Sequence, residues 1–238
     1  MIPRKIHYIW LGGKDKPSLT KLCINTWKRV LPDYEIIEWN EDNLDLNYLK
    51  KNNKFLSKCL DLKLWSFASD YLRLYVLYKE GGVYLDTDIE VIKKYDSLLN
   101  ESMFIGLEDK GFIGTGVIGS EKNNPIVKRI LDFYNVDIWN VDIINNPMIF
   151  KYLYESEPDL FVHCNILPRD VFAPYAPGQL SDGVVESDRT ISIHWYSLNW
   201  NLSLRGYVFA TTKHIKNPFI RLVVSLKKAI GYEMRYRK

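Results

Sequence analysis

Two aspartates separated by one residue, Asp86 and Asp88, follow the apolar run Val83-Tyr84-Leu85. Successive side chains of a strand point to opposite faces, so carboxylates at i and i+2 project from one side of the pleat. Tyr84 shares that side, while Val83, Leu85 and Ile89 take the other and point toward a core. Two hard oxygen ligands so placed can hold Mg2+ or Mn2+ and leave coordination positions for a diphosphate. A cation held there offsets the charge that builds on a departing phosphate. Alone, an Asp-x-Asp more often marks a solvated acidic turn, so its surroundings must decide. Upstream, Asp70 and Arg73 stand three apart in a helical pattern and hence on one helix face. They form either an ordinary intrahelical ion pair or a pair aimed at the same site as the aspartates.

The elements that would position these groups can be read from periodicity and turn residues. Lys5 to Trp10 has the apolar character of a short buried strand, ended by Gly12-Gly13. Ser18 or Thr20 can cap a helix with Leu22, Trp27, Val30 and Leu31 at helical spacing, stopped by Pro32. Tyr34 to Trp39 reads as a second strand. Asp61 to Lys79 reads as a long helix with Leu62, Trp65, Ala68, Leu72, Val76 and Leu77 inward, ended by Gly81-Gly82. Val83 to Val91 follows as one strand; further strands are expected at Met103–Leu107 and Gly116–Gly119, with helices near Pro125–Tyr134 and Pro147–Glu155. Strand and helix alternate early and mix later, which predicts a three-layer α/β/α fold with a mixed central sheet. No repeat, low-complexity tract or linker interrupts the chain, so residues 1–238 are expected to form one domain.

Composition narrows the class. A hydrophobic fraction of 47% with 26% charged residues fits a globular protein, and the 16 tyrosines and 7 tryptophans supply rings for packing or for stacking on ligands. No stretch approaches the ~20 apolar residues of a spanning helix, and Met1 to Trp10 lacks the apolar run of a signal peptide. Cys23, Cys59 and Cys164 match neither a disulfide framework nor a zinc motif. Buried thiols in a cytoplasm are the expectation. The net charge of +3 is unevenly placed: Thr211 to Lys238 holds eight basic residues against one acid, Glu233. Within that stretch, Phe219, Leu222, Val223, Leu226 and Ile230 recur at helical spacing from Pro218 onward. Two readings of this basic amphipathic helix (218–238) stay open, an ordinary packed terminal helix or one resting on an anionic membrane surface. No nucleic acid is expected as a partner.

The opening Ile2-Pro3-Arg4-Lys5-Ile6-His7-Tyr8-Ile9-Trp10-Leu11-Gly12 and the run Ala68–Glu90 together carry a specific combination, Ser-Asp-x-x-Arg followed by Gly-Gly-x-Tyr-x-Asp-x-Asp. In these residues the chain resembles glycosyltransferase family 32, the glycosyltransferase sugar-binding region containing DXD motif. That family includes yeast initiating α-1,6-mannosyltransferases and bacterial capsular-polysaccharide transferases, with the clostridial glucosylating toxins as distant relatives. The resemblance covers roughly residues 2–120 and, more loosely, His194-Trp195 to Trp200.

It implies a GT-A fold and a metal-dependent, retaining transfer of a hexose from a nucleotide-sugar to a glycan or lipid-linked acceptor in surface polysaccharide synthesis. A UDP-sugar is the favoured donor and a GDP-sugar the alternative. Asp86 would contact the donor and approach the metal, Mn2+ or Mg2+, and Asp88 would ligate it. Asp70 and Arg73 would hold the donor's sugar hydroxyls and phosphates. Tyr84 would line the diphosphate site, Trp10 would stack on the base, and Thr115 would sit in the donor loop. His194 and Trp200 would close over the diphosphate or metal. Without the resemblance, Trp10, Trp200 and His194 read as core residues, and His7 is structural. The sequence offers no convincing covalent nucleophile, which fits front-face substitution stabilised by the metal, Arg73 and His194. Two rival functions remain, a non-catalytic nucleotide-sugar-binding protein and a metal-dependent phosphohydrolase. The expected place of work is the cytoplasm or the inner membrane face.

Overall fold

A computed structural model of the chain describes residues 1–108, 112–175, 186–197 and 203–236. The first strand, β1 (Lys5–Ile9), leads through α1 (Ser18–Val30) to β2 (Glu35–Trp39), which pairs parallel to β1 with Lys5 opposite Glu35. Two short helices, α2 (Leu46–Asn52) and α3 (Lys54–Asp61), precede the long α4 (Trp65–Glu80) and β3 (Gly82–Leu85). β3 returns to the other edge of β1, again parallel, with His7 opposite Tyr84. After β4 (Ile89–Val91) come β5 (Met103–Leu107), β6 (Ile113–Ser120), α5 (Pro125–Asn135), α6 (Asn146–Ser156), β7 (Cys164–Leu167), β8 (Ser192–His194), α7 (Leu204–Thr212) and α8 (Pro218–Tyr236). The main sheet has the order β2-β1-β3-β6-β5-β7, and β4 and β8 form a separate two-stranded ribbon. β6 is antiparallel to β3 and β5, so the sheet is mixed, as the element order predicts.

The two faces of this sheet bury two apolar clusters. Tyr84, Ile105 and Ile118 point to the side covered by helices, where Leu72, Val76, Ile130 and Phe150 meet them. Ile6, Tyr8, Val83 and Leu85 point to the opposite side, against Trp27 of α1 and Ile89 and Val91 of β4. That alternation along β3 is the one the residue pattern predicts. The Trp27 indole is wholly buried and donates from Nε1 to the Ile89 carbonyl at 2.7 Å, tying α1 to the ribbon.

Several boundaries differ from the sequence reading. The expected helix Asp61–Lys79 is two helices. The Leu64 amide bonds back to Cys59 and the Lys63 amide to Leu60, with Lys63 at φ 56°, which ends α3 in a Schellman turn. Glycine usually marks that turn, and here lysine occupies it. α1 begins after Pro17 with no side-chain cap, so neither Ser18 nor Thr20 caps it. Its buried stripe is Thr20, Cys23, Ile24 and Trp27, while Leu22 is exposed.

Gly81 and Gly82 end α4 with φ of 64° and 108°. A Cβ on Gly82 would meet His7 Nε2 and the Lys5 carbonyl, each at 2.8 Å, so glycine lets β3 close on β1. His7 is fully buried, bonding through Nε2 to the Gly81 carbonyl at 2.7 Å and accepting from Trp39 Nε1 at 3.0 Å. Burial lowers its pKa. It is a structural residue.

Candidate active site

β1 is flanked by β2, reached first, and by β3, reached later on its other side, so the chain reverses its direction of build across β1. Crevices at the carboxyl ends of parallel strands beside such a reversal are where α/β sheets bind ligands. Trp10 and Asp86 follow the ends of β1 and β3 at that crevice. Beside it lies a cleft of about 340 Å³ lined by Trp10, Lys14, Lys16, Lys21, Glu38 and Glu41. The Trp10 indole is half-buried, donates to the Lys14 carbonyl at 2.8 Å and has Lys16 Nζ 5.4 Å from its ring centroid.

At the end of β3 the chain turns a corner. The Asp86 amide donates to the Gly116 carbonyl at 2.8 Å, and the Ile89 amide donates to the Asp86 carbonyl at 3.0 Å. The chain then leaves the main sheet for β4, where Ile89 faces His194 of β8. The single strand expected over Val83–Val91 is therefore two strands in two sheets. Asp86 and Asp88 do not share one pleat face; they converge because the corner between the sheets brings them to His194. Donor atoms of Asp86, Asp88 and His194 all lie within 4.8 Å of one another.

Each member is held from behind. Asp88 Oδ2 accepts from the Ser197 amide at 2.8 Å and its Oγ at 3.0 Å, and Oδ1 lies 3.4 Å from His194 Nε2. Burial acts to raise the Asp88 pKa, but the bonds and charge of His194, with the Ser197 donors, hold it at about 2. His194 is opposed by burial too, yet Asp88 and Glu108, whose Oε1 is 3.3 Å from Nδ1, push it up to about 10. A ring whose pKa is raised in this way must release a proton before it can ligate a cation. Two carboxylates and one imidazole suit Mn2+ or Mg2+ and leave further positions for water or phosphate oxygens.

Asp86 rests on a buried column. The Tyr84 hydroxyl donates to Asp86 Oδ1 at 2.9 Å, and Arg73 Nη2 lies 3.1 Å from the same oxygen. Arg73 also donates to the Thr115 carbonyl at 2.7 Å and pairs with Asp70 Oδ1 at 3.0 Å, its guanidinium 4.5 Å from the Tyr84 ring centroid. Asp70 is 1% exposed and Arg73 3%. Asp70 Oδ2 accepts from the Asn146 amide at 3.2 Å, and burial pushes the carboxyl up to about 7 against the pull of Arg73.

The Asp70–Arg73 ion pair is buried, and the Asp70 carboxylate contacts Arg73 and the Asn146 amide. Tyr84 is likewise buried, beneath Asp86 rather than open to a diphosphate. Thr115 reaches the column through its carbonyl, at an irregularity in β6 where pairing with β5 jumps from Ile118 to Gly114. Trp200 lies outside the described residues, as do parts of the loops at Glu108–Thr115 and Phe172–Ser181 on which specificity is expected to depend.

Three groups at the site escaped the motif reading: Glu108, Ser197 and Gly116. A Cβ on Gly116 would crowd His194 Cε1 at 3.2 Å and Asp86 Oδ2 at 3.3 Å. The glycine leaves room for the carboxylate and imidazole to approach. Their only sequence signal is proximity to elements whose pairing the sequence does not specify.

Known proteins bear on this arrangement. The family model described as "Glycosyltransferase sugar-binding region containing DXD motif" matches residues 17–105. The chain is 24% identical over 182 residues to inositol phosphoceramide mannosyltransferase 2 of Schizosaccharomyces pombe, covering 70% of this chain and 52% of that protein. It is 30% identical over 139 residues to an uncharacterized glycosyltransferase, L373, of Acanthamoeba polyphaga mimivirus, covering 55% and 54% of the two. The chain thus spans about half the length of each of these two curated relatives. Among solved structures, the UDP-bound glycosyltransferase domain of the YGT toxin superposes with a TM-score of 0.54 at 10% identity, over all of this chain and 91% of that one. The PaToxG glycosyltransferase gives 0.52 at 23% identity, over 66% and 70%. At such identities the likeness is one of fold. Over residues 17–105, which include Asp70, Arg73, Asp86 and Asp88, the chain is similar to the glycosyltransferase sugar-binding region containing the DXD motif, and its fold is that of GT-A glycosyltransferases.

Proposed function

We propose that the protein is a metal-dependent, retaining glycosyltransferase that moves a hexose from a nucleotide-sugar, UDP-linked in the first instance, to a glycan or lipid-linked acceptor. The observation that carries this reading is the convergence of Asp86, Asp88 and His194 at the carboxyl end of β3, with Arg73 buried behind Asp86. Asp86, Asp88 and His194 would hold Mn2+ or Mg2+, which supplies Lewis-acid stabilisation of the leaving diphosphate. Arg73 fixes the Asp86 carboxylate from below, and Ser197 fixes that of Asp88. The acceptor oxygen forms its bond to the anomeric carbon as the bond to phosphate breaks on the same face. The acceptor proton passes to the departing phosphate oxygen. Trp10, which lines the cleft beside the crevice, is the platform for the base.

The donor class follows from a melting-temperature panel of UDP- and GDP-sugars with Mn2+. A ligand at one hundred times its Kd stabilises by about 2.7 kcal/mol. A UDP-sugar is expected to give the largest shift. A panel in which no nucleotide-sugar stabilises the protein would count against the reading.

The acceptor is proposed to be presented at a membrane, as the names of the inositol phosphoceramide mannosyltransferases also suit. Support comes from α8, which packs on α7 through Tyr232 against Tyr207, ring centroids 5.4 Å apart. Phe219, Leu222, Leu226, Ile230 and Met234 nevertheless remain more than half exposed. A packed terminal helix with only a charged outer face would not leave such a row uncovered. No helix among the described residues is long and apolar enough to cross a membrane, so α8 would lie on the inner face, with nearby lysines such as Lys227 adding about 1 kcal/mol each. The full chain is expected to co-sediment with vesicles in proportion to phosphatidylserine content, and Phe219→Ser with Ile230→Ser to lose most of that binding. Binding indifferent to lipid charge and to these substitutions would contradict the assignment.

A further inference from the structure

Glu108 lies outside the DXD pattern, yet its carboxylate faces the proposed metal ligands. It follows the end of β5, where its amide donates to the Phe112 carbonyl at 2.6 Å. Its Oε1 is 3.3 Å from His194 Nδ1, while Nε2 of the same ring is 3.4 Å from Asp88 Oδ1. The side chain is 20% exposed and lines a small cavity with His194, Gly114, Gly116 and Phe172. The main chain makes room for it. A Cβ on Gly114 would stand 2.7 Å from Glu108 Cγ and 2.8 Å from Oε1, so no other residue at 114 would leave the carboxylate where it is. The two glycines flanking Thr115 therefore have separate tasks, one accommodating Glu108 and the other His194 and Asp86.

We propose that Glu108 is a positioning residue that accepts the Nδ1 proton of His194 in a hydrogen bond and so presents Nε2 to the cation held by Asp86 and Asp88. The proposal rests on the metal reading given above and extends it to a residue that the motif does not include. The physical reason is the tautomer. A neutral imidazole has one donor and one acceptor nitrogen, and a carboxylate on Nδ1 places the proton there, leaving the Nε2 lone pair free for a metal. Such a carboxylate also makes the ring a more basic ligand, and removing an outer partner of this kind typically costs 10–100-fold in metal affinity. Without it the ring can turn or take the other tautomer, and the metal keeps two protein ligands instead of three.

The test is Mn2+ binding, read from the electron paramagnetic resonance signal of the free ion, with Mn2+ alone and again with UDP present. Wild type is compared with Glu108→Gln and Glu108→Ala, each also melted without metal. Wild type is expected to bind, Glu108→Ala to bind about 10–100-fold more weakly, and Glu108→Gln to fall between because its amide oxygen still accepts from Nδ1. Ring nitrogen chemical shifts of His194 in Mg2+-loaded protein should show the proton on Nδ1 in wild type and a mixture in Glu108→Ala. Equal Mn2+ affinity in all three proteins would overturn the role of Glu108 while leaving the metal site intact. A wild type that binds no Mn2+ in either condition would overturn the metal reading, and this inference with it. Should Glu108→Ala melt early, the isosteric Glu108→Gln decides, because a purely structural role would lower its melting temperature without moving its Mn2+ affinity.

Discussion

Asp88→Asn is expected to weaken Mn2+ binding by at least about 100-fold and to lower kcat by about two to three orders of magnitude. The amide keeps an oxygen for the Ser197 donors, so the corner between the two sheets stays formed, and only the charge that ligates and that faces His194 is removed. A stability signature should accompany the loss. The Asp88 carboxyl ionises near 2 in the folded protein against an ordinary 3.8. A depressed acid contributes stability that is fully present above its unfolded pKa and is lost as pH falls through the folded one. Without metal, wild type should therefore melt above Asp88→Asn at pH 5, and the gap should close as pH falls toward 2. Mn2+ titrations, steady-state kinetics and paired melting curves read these effects. Near-wild-type turnover in the variant would remove Asp88 from the metal site.

Arg73→Ala should lose both activity and stability. An exposed i,i+3 pair contributes ~0–1 kcal/mol, but Asp70 and Arg73 are almost wholly buried, and removing one partner of a buried pair costs about 3–5 kcal/mol. Proton uptake by Asp70, already pushed up to about 7, will soften that loss near neutral pH. The informative variant is the double one, Asp70→Asn with Arg73→Met, because apolar and neutral replacements of a buried pair are often close to neutral for stability. It is expected to melt near wild type and still transfer sugar at least 100-fold more slowly, since Asp86 has lost the cation that fixes it. Recovery of stability and activity together would make the column scaffold only.

These two experiments differ in how far the residues alone foretell them. Asp86 and Asp88 are legible because glycines, an apolar strand and two acids within eight residues form a local pattern. The alternation along β3 is legible for the same reason: period two is a local property. The corner that separates β3 from β4 is not, because it depends on β8 arriving from residue 192 onward to pair with β4. Sequence spacing therefore brings the two aspartates together by the wrong route, a shared pleat face, where tertiary pairing is responsible. Arg73 illustrates the same limit. Helical spacing puts it beside Asp70, but its burial depends on Tyr84 and the Thr115 carbonyl closing over it. The end of α3 stays hidden because Lys63, with no glycine to signal it, takes the left-handed turn. Glu108 carries no signal, since its importance lies in a distance to a histidine 86 positions later.

Turnover of a nucleotide-sugar at the Asp86–Asp88–His194 site is read from release of nucleoside diphosphate. Purified protein is incubated with UDP- and GDP-hexoses and Mn2+, and free UDP or GDP is followed with time, with and without chelator. Steady release is expected from one donor, stopping when the metal is chelated and absent in Asp88→Asn. A protein that binds a nucleotide-sugar with Mn2+, yet releases no diphosphate from any donor even with candidate glycan and lipid acceptors present, would be a binding module and would contradict it.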